Sequence, residues 1–212
     1  MSKRAYLFDM DGVLVDNCRY HVLSWLELAK KYGGKLTKEE VIAWMGAPGR
    51  DYIARMFNPP PTLKRAEELL REKEAIYREL YRLKLVPREG LLDFLEEARK
   101  AGVVCAVTTG GPTENVDFVL DGLGIREYFA CVVDSSQYER GKPAPDCYLR
   151  TSERLGVDPA HCTVFEDAVN GIEAARAANM RVIGIVGTNQ AVTLEKAGAN
   201  EVVNSFRELT RI

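Results

Sequence analysis

The sequence is poor in the residues that most metal and redox chemistry draws on. Histidine occurs only at His21 and His161, and five cysteines are scattered at 18, 105, 131, 147 and 162 with no CxxC pair. Zinc-ligand spacing is missing. An odd number of dispersed cysteines suits small reduced core residues better than a disulfide framework, which is the usage of a cytoplasmic protein. Charge of one sign is missing too: 29 Lys and Arg face 31 Asp and Glu, a net charge of -2. That balance gives no electrostatic reason to expect nucleic acid or a membrane as partner. No apolar run approaches membrane-spanning length, and MSKR is followed by only four apolar residues before Asp9, too few for a signal peptide. No Walker-type loop is present, because Gly141-Lys142 is followed by Pro143 and position 136 is Ser136 rather than glycine. Repeats and low-complexity tracts are absent. What remains is ordinary globular composition, 46 % hydrophobic and 28 % charged.

Five short apolar runs read as buried strands: AYLF (5–8), VVCAV (103–107), CVV (131–133), CTVF (162–165) and VIGIV (182–186). They are rich in β-branched residues and show little alternation, as in parallel strands covered on both faces. Helical patterns lie between them at 91–102, 114–124 and 172–180. Strand–helix alternation predicts right-handed βαβ units, hence an α/β fold with a Rossmann-like, doubly wound parallel sheet.

One segment breaks the rhythm. From Asn17 to about Leu85 the pattern is helical throughout, ending in the amphipathic, oppositely charged TLKRAEELLREKEAIYRELYRLK (62–84). This predicts a helical-bundle cap domain at 17–85, inserted in a catalytic core made of 1–16 and 86–212. Such a module, on two tethers, could act as a lid.

Ligands of open α/β sheets bind outside the carboxyl ends of the strands. Polar residues gather at those ends. Asp9 and Asp11 follow the first strand, Thr108 and Thr109 the second, and Glu166 and Asp167 the fourth, while Lys142 lies in the loop after the third. Four carboxylates at one rim raise one another's pKa values unless a cation sits among them. Oxygen-only ligands favour a hard ion, and Mg²⁺ is the expected one. Lys142 and the Thr108 hydroxyl would meet phosphate oxygens. The set predicts phosphoryl transfer, with Asp9 attacking phosphorus and Asp11 acting as acid and base. It also answers why two aspartates stand one residue apart: the pair divides two roles.

DMDGVLVD, an apolar run ending VTTG, GKPAPD and VFEDAVNGIEAA occur in that order. In this the chain closely resembles the haloacid dehalogenase superfamily of phosphotransferases, in its small helical-cap, β-phosphoglucomutase-like branch. The resemblance implies that Asp9 is the nucleophile. It implies that Asp11 is the acid/base and lends Mg²⁺ its backbone carbonyl. Thr108 and Lys142 complete the catalytic set, and Asp9, Asp11, Glu166 and Asp167 the metal site, with Asp167 ahead of Glu166 as direct ligand.

The cap is expected to set substrate choice. His21, in YHVLSW, matches a gating histidine of the mutases, although a histidine satisfied within the bundle reads equally well. Gly46 and Arg50, in MGAPGR, resemble the substrate-specificity loop, and Arg50 could clamp a second phosphate or a sugar hydroxyl. Thr109 joins His21, Gly46 and Arg50 as a substrate-binding candidate. Lys73 reads as part of a solvated helix face. Met45 stands where the mutases carry a lysine, which counts against a distal phosphate clamp. The expected activity is therefore hydrolysis of a small phosphorylated metabolite, a sugar phosphate, by a cytoplasmic monomer. A β-phosphoglucomutase is the runner-up, and a non-catalytic phosphosugar sensor is the alternative of another class.

Overall fold

The computed structural model describes residues 3–45 and 48–209. Packing divides the chain into two compact units, 1–16 with 85–212, and 17–84. Leu85, expected in the helical insertion, falls in the first unit.

The first unit is built on six strands: β1 (Ala5–Phe8), β2 (Val104–Thr108), β3 (Phe129–Val133), β4 (Cys162–Glu166), β5 (Arg181–Ile185) and β6 (Glu201–Val203). All pair in parallel in the order β3-β2-β1-β4-β5-β6, a doubly wound sheet. The expectation of a Rossmann-like α/β sheet is borne out. The order reverses between β1 and β4. In doubly wound sheets ligands bind at such a switch point, outside the carboxyl ends of the strands.

Register gives the two faces different chemistry. Leu7 is paired with Ala106 and Val164 and faces an aliphatic cluster that includes Ile172, Ala175, Val182 and Leu194. Tyr6 and Phe8 face the other way, and Phe8 stacks on Phe165 with centroids 4.7 Å apart, beside Phe94 and Phe206. Five helices connect the strands: α5 (Leu91–Lys100), α6 (Thr113–Leu123), α7 (Asp146–Leu155), α8 (Val169–Ala177) and α9 (Ala191–Ala197). The α6, α7 and α9 helices end in left-handed glycines, Gly124, Gly156 and Gly198. The Arg88 N–H donates to the Leu14 carbonyl at 2.9 Å and ties together the two passages of chain that flank the insertion.

The second unit is a bundle of α1 (Cys18–Lys31), α2 (Lys38–Ala43), α3 (Gly49–Met56) and α4 (Leu63–Tyr81). Thr37 and Glu40 cap α2 reciprocally, and Thr62 caps α4. Helix α1 packs chiefly on α4. Leu28, Val41, Ile53 and Leu69 fill the centre, and Trp25 stacks on Tyr52 at 4.5 Å. The Arg55 guanidinium lies 4.0 Å over the Trp44 ring. Among the described residues no helix is long and apolar enough to cross a membrane.

Candidate active site

The site is assembled where β1 and β4 diverge. Asp9 extends β1 by one residue, its N–H donating to the Phe165 carbonyl at 3.0 Å. The chain then turns through Met10, Asp11 and Gly12, closed by Leu14 N–H on the Met10 carbonyl at 2.9 Å. Gly12 is required twice over. Its φ is +78°, and a Cβ there would lie 1.9 Å from Asp167 Oδ2. Its missing side chain lets the β1 loop and the β4 loop meet. Gly171, in α8, does the same for Glu166, whose Oε1 would be 1.8 Å from an added Cβ.

Asp9, Glu166 and Asp167 are all buried and offer carboxylate oxygens within 4.8 Å of one another. Lys142, from the loop between β3 and α7, is their counter-charge. Its Nζ lies 2.6 Å from Asp9 Oδ1 and 2.5 Å from Glu166 Oε1. Burial pushes the Asp9 pKa well up, against the pull of Lys142, and Glu166, Asp11 and Asp167 push it further. Asp167 is raised to about 7 by burial and by Glu166. Burial works against the Lys142 charge, yet Asp9 and Glu166 hold its pKa well above the lysine range. Three buried carboxylates share one ammonium, so the group fits a divalent cation with oxygen preference. The two carboxylates of the β4 loop differ in how far they are engaged. Glu166 Oε1 accepts from Lys142 and from the Tyr148 hydroxyl (2.8 Å), and Oε2 accepts from Asp167 N–H (3.0 Å) and Ala168 N–H (3.1 Å). All four of its acceptor positions are filled. Asp167 is held more lightly, by Thr188 N–H on Oδ2 at 3.2 Å and by Asn189 Nδ2 on its carbonyl at 3.0 Å. Asp11 stands beside the β2 loop: a Cβ added to Gly111 would lie 3.7 Å from Asp11 Oδ2.

The two threonines of VTTG part ways. Thr108 is fully buried, and its hydroxyl meets that of Thr151 at 2.8 Å. Thr151 gives its own proton to the Cys147 carbonyl, so Thr108 donates to Thr151. Thr108 therefore does not turn its hydroxyl to the rim as expected. The pleat sends the next side chain the other way, and Thr109 Oγ1 accepts from Gly111 N–H at 3.0 Å, 3.3 Å from where a Gly111 Cβ would be. Tyr138 supports this loop by donating to the Thr109 carbonyl at 3.1 Å.

The second unit holds the cap candidates in its own contacts. His21 stacks on Tyr77 at 4.0 Å, and Lys73 Nζ meets His21 Nδ1 at 2.7 Å. An ammonium only donates, so the ring accepts at Nδ1. Lys73 is not on a solvated face. It is 3 % exposed, under the rings of Trp25 and Tyr77 and bonded to Glu74. The charge pattern of α4 hid it. Arg50 is exposed and paired with Glu67 at 2.9 Å. Gly46 lies outside the described residues. Burial favours the thiol form of the core cysteines, pushing Cys105 to about 12 and both Cys147 and Cys162 to about 11. Tyr148, Thr151, Tyr138 and Thr188 stand in no motif that the sequence makes legible. Tyr148 was signalled only by standing six residues after Lys142, in the first turn of α7.

The model of the haloacid dehalogenase-like hydrolases matches residues 3–179. The chain belongs to that family. It is an enzyme, and its four strand-end loops carry Asp9 and Asp11, Thr108 and Thr109, Lys142, and Glu166 and Asp167. A fructose-1-phosphate phosphatase of Escherichia coli, YqaB, is 33 % identical over 187 residues, 84 % of this chain and 94 % of that one. A β-phosphoglucomutase of Bacillus subtilis is 28 % identical over 98 % of this chain and 92 % of that one. A haloacid dehalogenase hydrolase of family IA, variant 3, from Entamoeba histolytica superposes with a TM-score of 0.90 at 29 % identity, covering 98 % of this chain and 95 % of that one. The haloacid dehalogenase-like relatives thus include both sugar phosphatases and phosphosugar mutases.

Proposed function

We propose that the protein is a Mg²⁺-dependent phosphatase of a small phosphorylated sugar, working through an aspartyl phosphate on Asp9. The carrying observation is the Lys142 ammonium bridging Asp9 and Glu166 beside Asp167. Asp9 attacks phosphorus and the ester oxygen leaves with a proton from Asp11. Asp11 then takes the proton of a water that attacks the acyl phosphate and frees Asp9. Lys142 pairs with Asp9 before the reaction and with the phosphoryl oxygens during it. The Thr109 hydroxyl, which accepts from Gly111 N–H and keeps its own proton to donate, supplies a donor for the same oxygens. Asp9, Asp167 and the Asp11 backbone carbonyl would hold Mg²⁺. The ion supplies charge neutralisation for the phosphoryl group and the carboxylates.

Hydrolysis is preferred to the mutase reaction because a mutase grips two phosphates. The expected second cation, Arg50, is committed to Glu67, and Met45 adds none. In the test, protein and Mg²⁺ receive β-glucose 1-phosphate with a trace of glucose 1,6-bisphosphate, and separately fructose 1-phosphate and other sugar phosphates. Phosphate release without glucose 6-phosphate is expected. Glucose 6-phosphate forming faster than phosphate would replace this reading with the mutase. The intermediate is tested apart: water attacks phosphorus, so ¹⁸O from water should enter inorganic phosphate and not Asp9, and acid-quenched enzyme should carry ³²P from labelled substrate on Asp9, released by hydroxylamine.

A further inference from the structure

Lys142 faces a conflict. Two buried carboxylates, Asp9 at 2.6 Å and Glu166 at 2.5 Å, compete for one ammonium. Only Asp9 does chemistry in the mechanism above, so any charge drawn off by Glu166 is lost to the nucleophile and to the phosphoryl group. Glu166 is supplied with three further donors. Two are backbone N–H groups fixed by the start of α8. The third is Tyr148, which has no access to solvent and whose hydroxyl donates to Glu166 Oε1 at 2.8 Å. The same tyrosine touches the cation: Lys142 Nζ lies 5.0 Å from its ring centroid, within cation–π range. One side chain thus addresses both members of the ion pair, its hydroxyl the anion and its ring the cation.

We propose that Tyr148 is a positioning residue: by satisfying Glu166, its hydroxyl leaves the Lys142 ammonium directed at Asp9. The inference rests on the phosphoryl-transfer reading of the site. Without the hydroxyl, Glu166 Oε1 keeps Lys142 as its sole partner and draws it away from Asp9. Tyr148→Phe separates the two contacts, because the ring over Lys142 is retained.

The test uses beryllium fluoride, a mimic of the phosphoryl group on an aspartate, with Mn²⁺ binding followed by electron paramagnetic resonance. Tyr148→Phe should weaken beryllium fluoride binding and lower kcat toward p-nitrophenyl phosphate, each about tenfold, with KM and Mn²⁺ affinity within about twofold. Glu166→Gln removes the charge that Tyr148 serves. In that background the tyrosine substitution should cost less than about twofold. Equal losses in both backgrounds would overturn the proposal, and so would an unchanged Tyr148→Phe. Mn²⁺ affinity falling in step with kcat would also overturn it, since the hydroxyl would then act on the metal site. A lowered melting temperature with unchanged binding would make Tyr148 a packing residue only. Failure of the unaltered protein to bind beryllium fluoride at all would instead defeat the aspartyl-phosphate reading.

Discussion

Each unit of the molecule encloses a lysine, Lys73 buried and Lys142 partly so, and the two are compensated in opposite ways. Lys142 stands between two carboxylates at the divergence of β1 and β4. Lys73 lies under two aromatic rings with a histidine nitrogen and one carboxylate as partners. The first is a cation embedded in an excess of negative charge. Its protonation is secure, and the unbalanced charge around it is what a metal and a phosphate would resolve. The second sits in a pocket with little opposing charge, where rings and a neutral acceptor share the work of burial. Buried lysine is therefore informative only with its partners named. The acidic surround marks chemistry, and the aromatic surround marks a fixed polar contact inside a bundle.

The comparison can be broken at its strongest point first. Lys142→Met leaves Asp9 and Glu166 facing each other, and kcat should fall about a thousandfold or more. The metal-free variant should also lose about 3–5 kcal/mol of stability to urea, the cost of orphaning a buried charge. Turnover within tenfold of the parent would remove Lys142 from the site. Gly171→Ala pushes a methyl into the Glu166 carboxylate. We expect kcat to drop about ten- to a hundredfold with about 1–3 kcal/mol lost, read by kinetics and urea titration. Lys73→Met should leave turnover of p-nitrophenyl phosphate within about threefold and raise KM for the best sugar phosphate. A collapse of both activities would make the two lysines equivalent and end the contrast. The last check is a pH trend. In the folded, metal-free protein Asp167 titrates at about 7, against 3.8 ordinarily. A folded pKa above the unfolded one means that the protonated form is favoured by folding. That contribution is complete below about pH 4 and disappears as pH rises through 7. With EDTA the melting temperature should drift down across this window, and saturating Mg²⁺ should level it.

Much of the fold was legible because parallel strands covered on both faces write themselves as apolar runs. The five expected strands lie within two residues of β1 to β5. β6 escaped because three residues, EVV, at a sheet edge make no run. Helix α7 escaped because DCYLRTSERL is mostly polar, with its buried face carried by Cys147, Tyr148, Thr151 and Leu155. At the site, residue types and spacing pointed to Asp9, Lys142, Glu166 and Asp167. Which threonine of VTTG faces the rim was not legible, since a shift of one residue turns a strand side chain to the opposite face. Nor was the saturation of Glu166, which depends on a tyrosine 18 positions upstream. Lys73 was misread because opposite charges three and four apart conceal one lysine turned inward.

The aromatic residues have a practical corollary. Both tryptophans of the chain, Trp25 and Trp44, belong to the helical unit, one stacked on Tyr52 and the other beneath Arg55. The sheet's own ring cluster is phenylalanine and tyrosine. Light absorbed at the red edge of the protein spectrum is thus taken up by one unit alone. Emission excited there is a built-in optical gauge of the bundle. Set beside far-ultraviolet dichroism, which registers both units, it would tell whether they melt as one cooperative body or in turn.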